Sequence, residues 1–320
     1  MKRIALLDDY HQLALSLADW SPVRARAEIV TFNHNLSVPD QAAAALADFD
    51  AIALIRERMP VPRELIERLP RLKFIAVTGK HNRTLDLDAC TERGITVSHS
   101  TDRGNGGNGT PELAWALIMA SVRHIAFEDR AMRAGKWQTT LGPVLYGRTI
   151  GLLGLGKIGR RMAQIARAFG MEVVAWSPNL TTEAAAAVGV RRVEKAELFR
   201  IADVVSIHLV LGPRSRGLVS AAEFALMKPT AFIVNTSRGP IIVEDALVAA
   251  LESKQIAGAA IDVYDIEPLP ADHRLRRIEN LTLSPHLGYC TTDNFKVYYE
   301  DTAEALSAWL DGSPIRVMQH

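Results

Sequence analysis

Cysteine is scarce in this sequence, with Cys90 and Cys290 as the only two among 320 residues. Two cysteines cannot form the disulfide framework of a small secreted protein, and neither lies in a C-x-x-C pair of the kind that binds zinc. Proteins of oxidising compartments use cysteine more freely. The composition therefore predicts a cytoplasmic protein and indicates no metal site.

An excess of charge of one sign is also missing, since 37 basic residues face 36 acidic ones and the formal charge is +1. Nucleic-acid-binding domains concentrate basic residues, so we expect no nucleic-acid partner. Long apolar runs are absent as well. The first one stops at Asp8, too early for a signal-peptide core, and none approaches the ~18 residues of a membrane helix. We therefore expect no membrane partner.

What the sequence does contain is an alternation of strand and helix patterns. Five short apolar runs lie in the N-terminal third, the first at residues 4–7, and helical patterns separate them, the first at residues 12–19. A glycine- and asparagine-rich interval, residues 103–109, is predicted to be a hinge or loop. It leads into a helix expected near Pro111 with Thr110 as its cap. Such alternation predicts parallel sheets with helices on both faces.

A glycine fingerprint lies near the middle of the chain, in the segment TIGLLGLGKIG. Gly154 permits a tight turn, Gly156 lets backbone approach a pyrophosphate, and Gly159 lets the next helix pack closely on its strand. The N-terminus of that helix offers free N–H groups to phosphates, so Lys157 and Ile158 are candidate contacts as well. Because a strand precedes the glycines and an amphipathic helix follows them, the segment predicts dinucleotide binding.

Three polar segments follow predicted strands in the second half of the chain: NTSRG, DVYDIEP and SPHLG. Ligands of doubly wound sheets bind at the carboxyl ends of the strands. Taken singly, Arg238, Glu267 and His286 have ordinary structural explanations as solvated or backbone-bonded side chains. Together, beside a dinucleotide fingerprint, they predict a catalytic site.

In this order and spacing, the four motifs resemble those of the D-isomer-specific 2-hydroxyacid dehydrogenase family. The resemblance covers nearly the whole chain. It implies an α/β fold of two doubly wound parallel-sheet domains, with a Rossmann cofactor domain inserted in a flavodoxin-like substrate domain. The expected cofactor domain is residues 102–288, and residues 1–101 and 289–320 form the substrate domain. A homodimer is implied too.

The resemblance also implies hydride transfer between a nicotinamide cofactor and a D-2-hydroxy acid or its 2-oxo acid. His286 would protonate the carbonyl oxygen and act as base in the reverse direction. Glu267 would hydrogen-bond the other ring nitrogen and favour the imidazolium. Arg238 would hold the substrate carboxylate with its planar fork.

The choice of cofactor depends on the end of the second cofactor strand, where Ser177 stands. Many NAD-dependent members carry an acidic residue there, which repels a 2′-phosphate. Ser177 lacks that charge, and no arginine follows immediately, Arg191 and Arg192 being distant in sequence. NAD is the prediction, with NADP or dual use open. Three other positions match cofactor contacts of the family: His208, Thr236 and Asp262.

A loop of the first domain holds the substrate carboxylate in the family, and Gly79, Lys80 and His81 stand in the matching stretch. Small residues dominate the common form of that loop. Lys80 and His81 therefore either select a polar or larger substrate or are solvated. Arg56 and Arg58 likewise either bind a second acidic group or face solvent.

Two other functions fit parts of the pattern. A dinucleotide-sensing regulatory protein, similar to the corepressors that resemble this family, can retain the same three side chains. Formate dehydrogenase shares the architecture but has glutamine where Glu267 stands, so Glu267 argues against it.

Overall fold

The computed structural model of the protein describes residues 1–101, 103 and 107–318. The predicted domain boundary at residue 102 and part of the predicted hinge, residues 104–106, lie outside the described residues. Across the part of the chain that is described, no helix is long and apolar enough to cross a membrane.

The chain divides into two compact units: one comprises Met1–Gly106 with Thr291–His320, and the other comprises Gly107–Cys290. The first unit contains a parallel sheet of five strands in the order β2-β1-β3-β4-β5. Its strands are β1 (Lys2–Leu6), β2 (Ala27–Thr31), β3 (Ala51–Leu54), β4 (Phe74–Val77) and β5 (Thr96–His99). Its helices are α1 (Ser21–Arg24), α2 (Pro39–Leu46), α3 (Arg63–Glu67), α4 (Leu87–Glu92) and α12 (Thr292–Leu310).

The second unit contains a parallel sheet of seven strands in the order β12-β11-β10-β9-β6-β7-β8. Its strands are β6 (Thr149–Leu153), β7 (Glu172–Trp176), β8 (Arg191–Arg192), β9 (Val204–Ile207), β10 (Phe232–Asn235), β11 (Gly258–Ile261) and β12 (Leu281–Leu283). Its α-helices are α5 (Gly109–Val122), α6 (Ile125–Arg133), α7 (Lys157–Ala168), α8 (Thr182–Ala186), α9 (Lys195–Ile201), α10 (Ala221–Phe224) and α11 (Glu244–Glu252). Two short 3₁₀ helices complete it: Gly239–Ile241 and Arg274–Arg277.

The predicted fold class is confirmed. The first sheet has the flavodoxin-like strand order, and the second has the Rossmann order extended by one strand. Both ends of the chain contribute to the first unit, so the second unit is inserted in it.

The sheet of the second unit is buried on both faces. Ile150 and Leu152 of β6 belong to one buried apolar cluster, whereas Leu153 belongs to another. Alternate residues of a strand point to opposite faces, so two clusters cover the two sides of one sheet. This explains why inner strands of the sheet, such as β6, β10 and β11, are mostly apolar without polar alternation.

The helix predicted at residues 12–19 is wrong, because this segment is a series of turns. The carboxylate of Asp9 accepts the backbone N–H groups of Leu13 at 3.0 Å and Ala14 at 3.1 Å. Nε1 of Trp20 donates to the carbonyl of Ala14 at 2.8 Å. The indole of Trp20 thereby occupies a carbonyl that a helix would pair with the backbone N–H four residues later.

The cap predicted for the helix near Pro111 is also wrong. α5 begins at Gly109 with Asn108 as its N-cap, so Thr110 lies in the first turn. The hydroxyl of Thr110 instead donates to the carbonyl of Gly288, 3.0 Å away. It thereby ties the start of α5 to the segment after β12.

Candidate active site

The polar segments found in the sequence follow three neighbouring strands of the second unit, β10, β11 and β12. These strands are parallel, so their carboxyl ends lie at the same edge of the sheet. The loops that carry Arg238, Glu267 and His286 therefore leave the sheet side by side, where ligands of such sheets bind.

His286 and Glu267 form a hydrogen-bonded pair, with Nδ1 of His286 2.5 Å from Oε2 of Glu267. The other carboxylate oxygen of Glu267 accepts the backbone N–H of Tyr264 at 2.9 Å, so both oxygens are held. The side chains of His286 and Glu267 are 30% and 34% exposed, which leaves them open to a solute. Nε2 of His286 has no hydrogen-bond partner among the described residues.

Asp262 holds the loop that carries His286. Its buried carboxylate accepts the hydroxyl of Ser284 at 2.6 Å and the backbone N–H groups of Leu287 at 2.7 Å and Gly288 at 3.0 Å. Burial raises the pKa of Asp262, although these hydrogen bonds oppose the rise. His286 itself has a φ of 55°, a left-handed conformation that needs support from its surroundings. The structure thus gives Asp262 a positioning role, and its predicted cofactor contact stays a prediction.

Asn235 fixes the backbone of the loop that carries Arg238. Its side-chain oxygen accepts the N–H of Ser237 at 3.0 Å, and its amide donates to the carbonyl of Arg238 at 2.9 Å. The hydroxyl of Ser237 donates to the carbonyl of Leu209 at 2.5 Å, which joins this loop to the one after β9. Nη1 of Arg238 donates to the carbonyl of Ser237 at 2.8 Å, so the guanidinium lies close to its own loop.

Tyr264 connects the three loops. Gly239 packs so closely on it that a Cβ at residue 239 would overlap the backbone of Tyr264. The backbone N–H of Tyr264 is bonded to Glu267, and its hydroxyl donates to the carbonyl of Ser284 at 2.8 Å. The loops of Arg238, Glu267 and His286 are therefore packed into one assembly.

One glycine of the turn borders open space, and the other two are closely packed. Gly154 has a φ of 104°, and a Cβ there would overlap the carbonyl of His208. Gly159 packs on the carbonyl of Gly154. Gly156 is exposed, and a Cβ there would meet nothing within 4 Å. As the N-cap of α7 without a side-chain cap, it fits the close approach of a phosphate group.

Two further side chains directly follow β9 and β10, the next two strands of the sheet after β6. The hydroxyl of Thr236 is buried and has no hydrogen-bond partner among the described residues, so it is suited to bond a bound molecule. Nε2 of His208 lies 2.9 Å from the hydroxyl of Ser206. Burial lowers the pKa of His208 to about 4, so its ring is neutral near pH 7. These surroundings fit a dinucleotide.

Lys157 and Ile158 open α7, and they differ in placement. Lys157 is exposed and its side chain lies over Gly107, whereas Ile158 packs against the apolar cluster under the sheet. Ser177 is half-buried directly after β7. The cofactor contacts assigned to these three residues stay predictions.

The predicted substrate loop lies in the first unit, after β4. The N–H of Gly79 donates to the hydroxyl of Ser100 at 2.7 Å, so this amide already has a partner. Lys80 and His81 are exposed. The role of this loop in substrate binding stays a prediction.

Arg56 and Arg58 follow β3 in the same unit. The guanidinium of Arg56 fills the space where a Cβ of Gly79 would lie, so it packs directly on the predicted substrate loop. Arg58 donates to the carbonyl of Asp8 at 2.7 Å and lies 4.6 Å from the ring centre of Tyr10. The structure thus brings Arg56 into contact with Gly79, whereas Arg58 contacts Asp8 and Tyr10.

Sequence reasoning missed the residues that hold the site together. Tyr264 and Ser284 lie inside the motifs, but nothing in the motifs distinguishes them from ordinary core residues. The sequence around Thr110 indicates a helix cap and gives no sign of its bond to Gly288. Gly239 carried a usable signal, since a glycine directly after a strand-end arginine indicates close backbone packing.

Known proteins of one family are similar to this chain. A sequence profile described as D-isomer specific 2-hydroxyacid dehydrogenase, NAD binding domain, matches residues 115–288. D-3-phosphoglycerate dehydrogenase of Synechocystis sp. is 38% identical over 273 residues, which is 84% of this chain and 48% of that protein. Hydroxypyruvate reductase of Blautia hydrogenotrophica is 30% identical over 329 aligned positions, 99% of each chain.

Solved structures agree with the sequence comparison. The crystal structure of phosphoglycerate oxidoreductase from Vibrio cholerae has a TM-score of 0.90 and 34% identity, and the match covers 98% of this chain and 100% of that one. The chain spans about half the length of the curated phosphoglycerate dehydrogenases that it matches.

Proposed function

Because the chain belongs to the D-isomer specific 2-hydroxyacid dehydrogenase family, we propose that it transfers a hydride between a nicotinamide cofactor and a D-2-hydroxy acid or its 2-oxo acid. Residues 115–288 are the NAD-binding domain of that family. The observation that carries the proposal is the His286–Glu267 pair at the ligand-binding edge of this domain.

The cofactor, when bound, supplies or accepts the hydride. Gly156 and the N-terminus of α7 would hold its pyrophosphate, because the exposed face of Gly156 leaves room for phosphate oxygens. Thr236 would bond the cofactor through its otherwise unpartnered hydroxyl. NAD is the expected cofactor.

His286 supplies the proton. As hydride reaches a 2-oxo acid, negative charge develops on the carbonyl oxygen, and a proton from Nε2 neutralises it. Glu267 accepts a hydrogen bond from Nδ1, which keeps the ring oriented with Nε2 free to donate. In the oxidative direction the neutral ring takes the hydroxyl proton back.

Arg238 positions the substrate. Its planar guanidinium offers two parallel N–H groups to the substrate carboxylate. A further N–H of the same guanidinium opposes the charge that develops on the carbonyl oxygen. The bonds from Asn235 hold the Arg238 backbone in place for this task.

A homodimer is part of the proposal. Large apolar side chains after α6 are unusually exposed, with Trp137 at 74%, Leu141 at 97% and Tyr146 at 78%. A patch of this kind commonly marks a protein interface. Light scattering of the full chain tests this, and a monomer at micromolar concentration would contradict it.

The activity is tested by assaying a panel of 2-oxo acids with NADH and NADPH and determining the configuration of the product. The expected result is reduction of at least one 2-oxo acid to the D-hydroxy acid, lost in His286→Ala. Binding of the cofactor without turnover on any substrate would instead favour a dinucleotide-sensing protein. Formate oxidation would overturn the assignment of Glu267.

A further inference from the structure

The loop after β7 lacks a carboxylate at the place where a dinucleotide-binding sheet meets the adenosine ribose. Ser177, Pro178 and Asn179 stand there. An acidic side chain at this place accepts hydrogen bonds from both ribose hydroxyls and repels a 2′-phosphate. Ser177, Pro178 and Asn179 are all uncharged, so none of them repels a 2′-phosphate.

A second loop reaches the same place. After β9 the chain makes a tight turn in which the hydroxyl of Ser215 accepts the N–H of Gly212 at 2.9 Å. From this turn, Nη1 of Arg214 donates to Oδ1 of Asn179, 3.1 Å away. Strands β7 and β9 lie on the two sides of β6. The bond between Arg214 and Asn179 therefore joins the two loops that flank the strand of the glycine turn.

Arg214 differs from the other arginines near β7. Arg191 pairs with Glu197 at 2.9 Å and Arg192 with Glu194 at 2.8 Å, so a carboxylate compensates each of them. Arg214 is exposed and forms no ion pair with any of the described residues. A guanidinium has five N–H donors, and the bond to Asn179 uses one of them. An uncompensated positive charge is thus held beside the expected ribose position.

We propose that Arg214 and Asn179 form a subsite for the 2′-phosphate of NADP(H), so that the protein binds NADP(H) as well as NAD(H). The inference rests on the proposed function insofar as both need the dinucleotide site. The arginine fork matches phosphate oxygens, and the amide of Asn179 and the hydroxyl of Ser177 are additional donors. With NAD(H), the oxygens of Ser177 and Asn179 accept hydrogen bonds from the ribose hydroxyls.

Titration of the full chain with NAD⁺ and NADP⁺, without substrate, tests the subsite. Calorimetry gives both dissociation constants, and intrinsic tryptophan fluorescence, to which Trp176 next to Ser177 contributes, gives an independent readout. Arg214→Ala should weaken NADP⁺ binding by about tenfold more than NAD⁺ binding, the effect of losing a charge-assisted hydrogen bond. Arg191→Ala, an exposed arginine of the same unit, is the matched control and should leave the ratio of the two constants unchanged.

A complementary variant adds the missing charge. Ser177→Asp should weaken NADP⁺ binding by at least about tenfold relative to NAD⁺. The inference is overturned if the wild-type protein binds NADP⁺ more than about a hundredfold more weakly than NAD⁺, or if Arg214→Ala lowers both affinities equally. If the wild-type protein binds neither nucleotide, the proposed function fails. Binding and turnover with NAD(H) alone would remove only this inference.

Discussion

Gly159 packs directly against the carbonyl oxygen of Gly154, so that a Cβ on Gly159 would overlap it. This contact holds the first turn of α7 on the end of β6. Gly156 lies between the two in sequence, yet its own Cβ would meet nothing within 4 Å. Glycines of one motif therefore have different tasks, since Gly159 serves the packing and Gly156 leaves room for a ligand.

Substitution by valine should affect mainly stability at Gly159 and mainly cofactor binding at Gly156. Gly159→Val should lower the free energy of unfolding by about 1–3 kcal/mol, because the new side chain has no space. Gly156→Val should change it by less than about 1 kcal/mol but weaken NAD⁺ binding at least tenfold. Urea unfolding and calorimetry measure the two effects. Undiminished NAD⁺ affinity in Gly156→Val would contradict the close approach of the pyrophosphate.

Replacement of His286 by alanine should remove the proton donor. We expect kcat for 2-oxo acid reduction to fall by about 10²- to 10⁴-fold, while NADH affinity stays within about twofold. His273→Ala is a matched control, because His273 lies 3.6 Å from a carboxylate oxygen of Glu244 in the same unit. Normal turnover in His286→Ala would exclude the proposed role.

Arg238→Lys keeps the charge but loses the planar fork. We expect kcat/KM for the 2-oxo acid to fall by about a hundredfold, because a lysine cannot hold a carboxylate through two parallel hydrogen bonds. Steady-state kinetics with varied 2-oxo acid measure this. Arg216→Lys, an exposed arginine in the loop after β9, is the control. An unchanged kcat/KM in Arg238→Lys would mean that the carboxylate binds elsewhere.

Asp8 should make the stability of the protein depend on pH. Asp8 is 1% exposed, and burial raises its pKa from 3.8 to about 6, against the opposing effects of Tyr10, Arg58 and His34. The folded state thus favours the protonated carboxyl, so its contribution to stability is present below about pH 4 and lost as the pH rises through 6. The variant Asp8→Asn has no carboxyl group at this position, so its stability lacks this dependence on pH.

The free energy of unfolding of the wild type, minus that of Asp8→Asn, should therefore fall by about 3 kcal/mol between about pH 4 and pH 7. Urea unfolding at a series of pH values measures it. In the control Asp19→Asn the difference should not fall in this range, because hydrogen bonds from Ser21 lower the pKa of Asp19. A flat difference for Asp8→Asn would show that the carboxylate is ionised without penalty.

Much of the fold could be predicted because most of its strands are buried on both faces. The apolar run expected at residues 4–7 overlaps β1, and the three polar segments stand at the ends of β10, β11 and β12 as expected. Continuous apolar runs between polar turns are a local property, so a single sequence displays them. The predicted helix at residues 12–19 fails because the side chain of Trp20 takes the carbonyl of Ala14, a bond that the apolar pattern of the segment does not show.

The placement of the candidate catalytic side chains could also be predicted in part. Arg238, Glu267 and His286 each follow a predicted strand. Because these strands are parallel, their loops lie at the same edge of the sheet. The supporting roles were not predictable. Tyr264 looks like an ordinary core residue until its bond to Ser284 is seen, and the sequence assigns Asp262 to the cofactor and not to the loop of His286.

The sequence by itself determined which chemical groups the chain carries and after which strands they stand: the glycine turn, the arginine, the glutamate and the histidine. Only the tertiary structure decided which groups touch. Asp262 meets Gly288 across 26 positions, and Arg214 meets Asn179 across 35. Contacts over such separations depend on strand order and on the packing of one loop against the next, and no local pattern of residues encodes either.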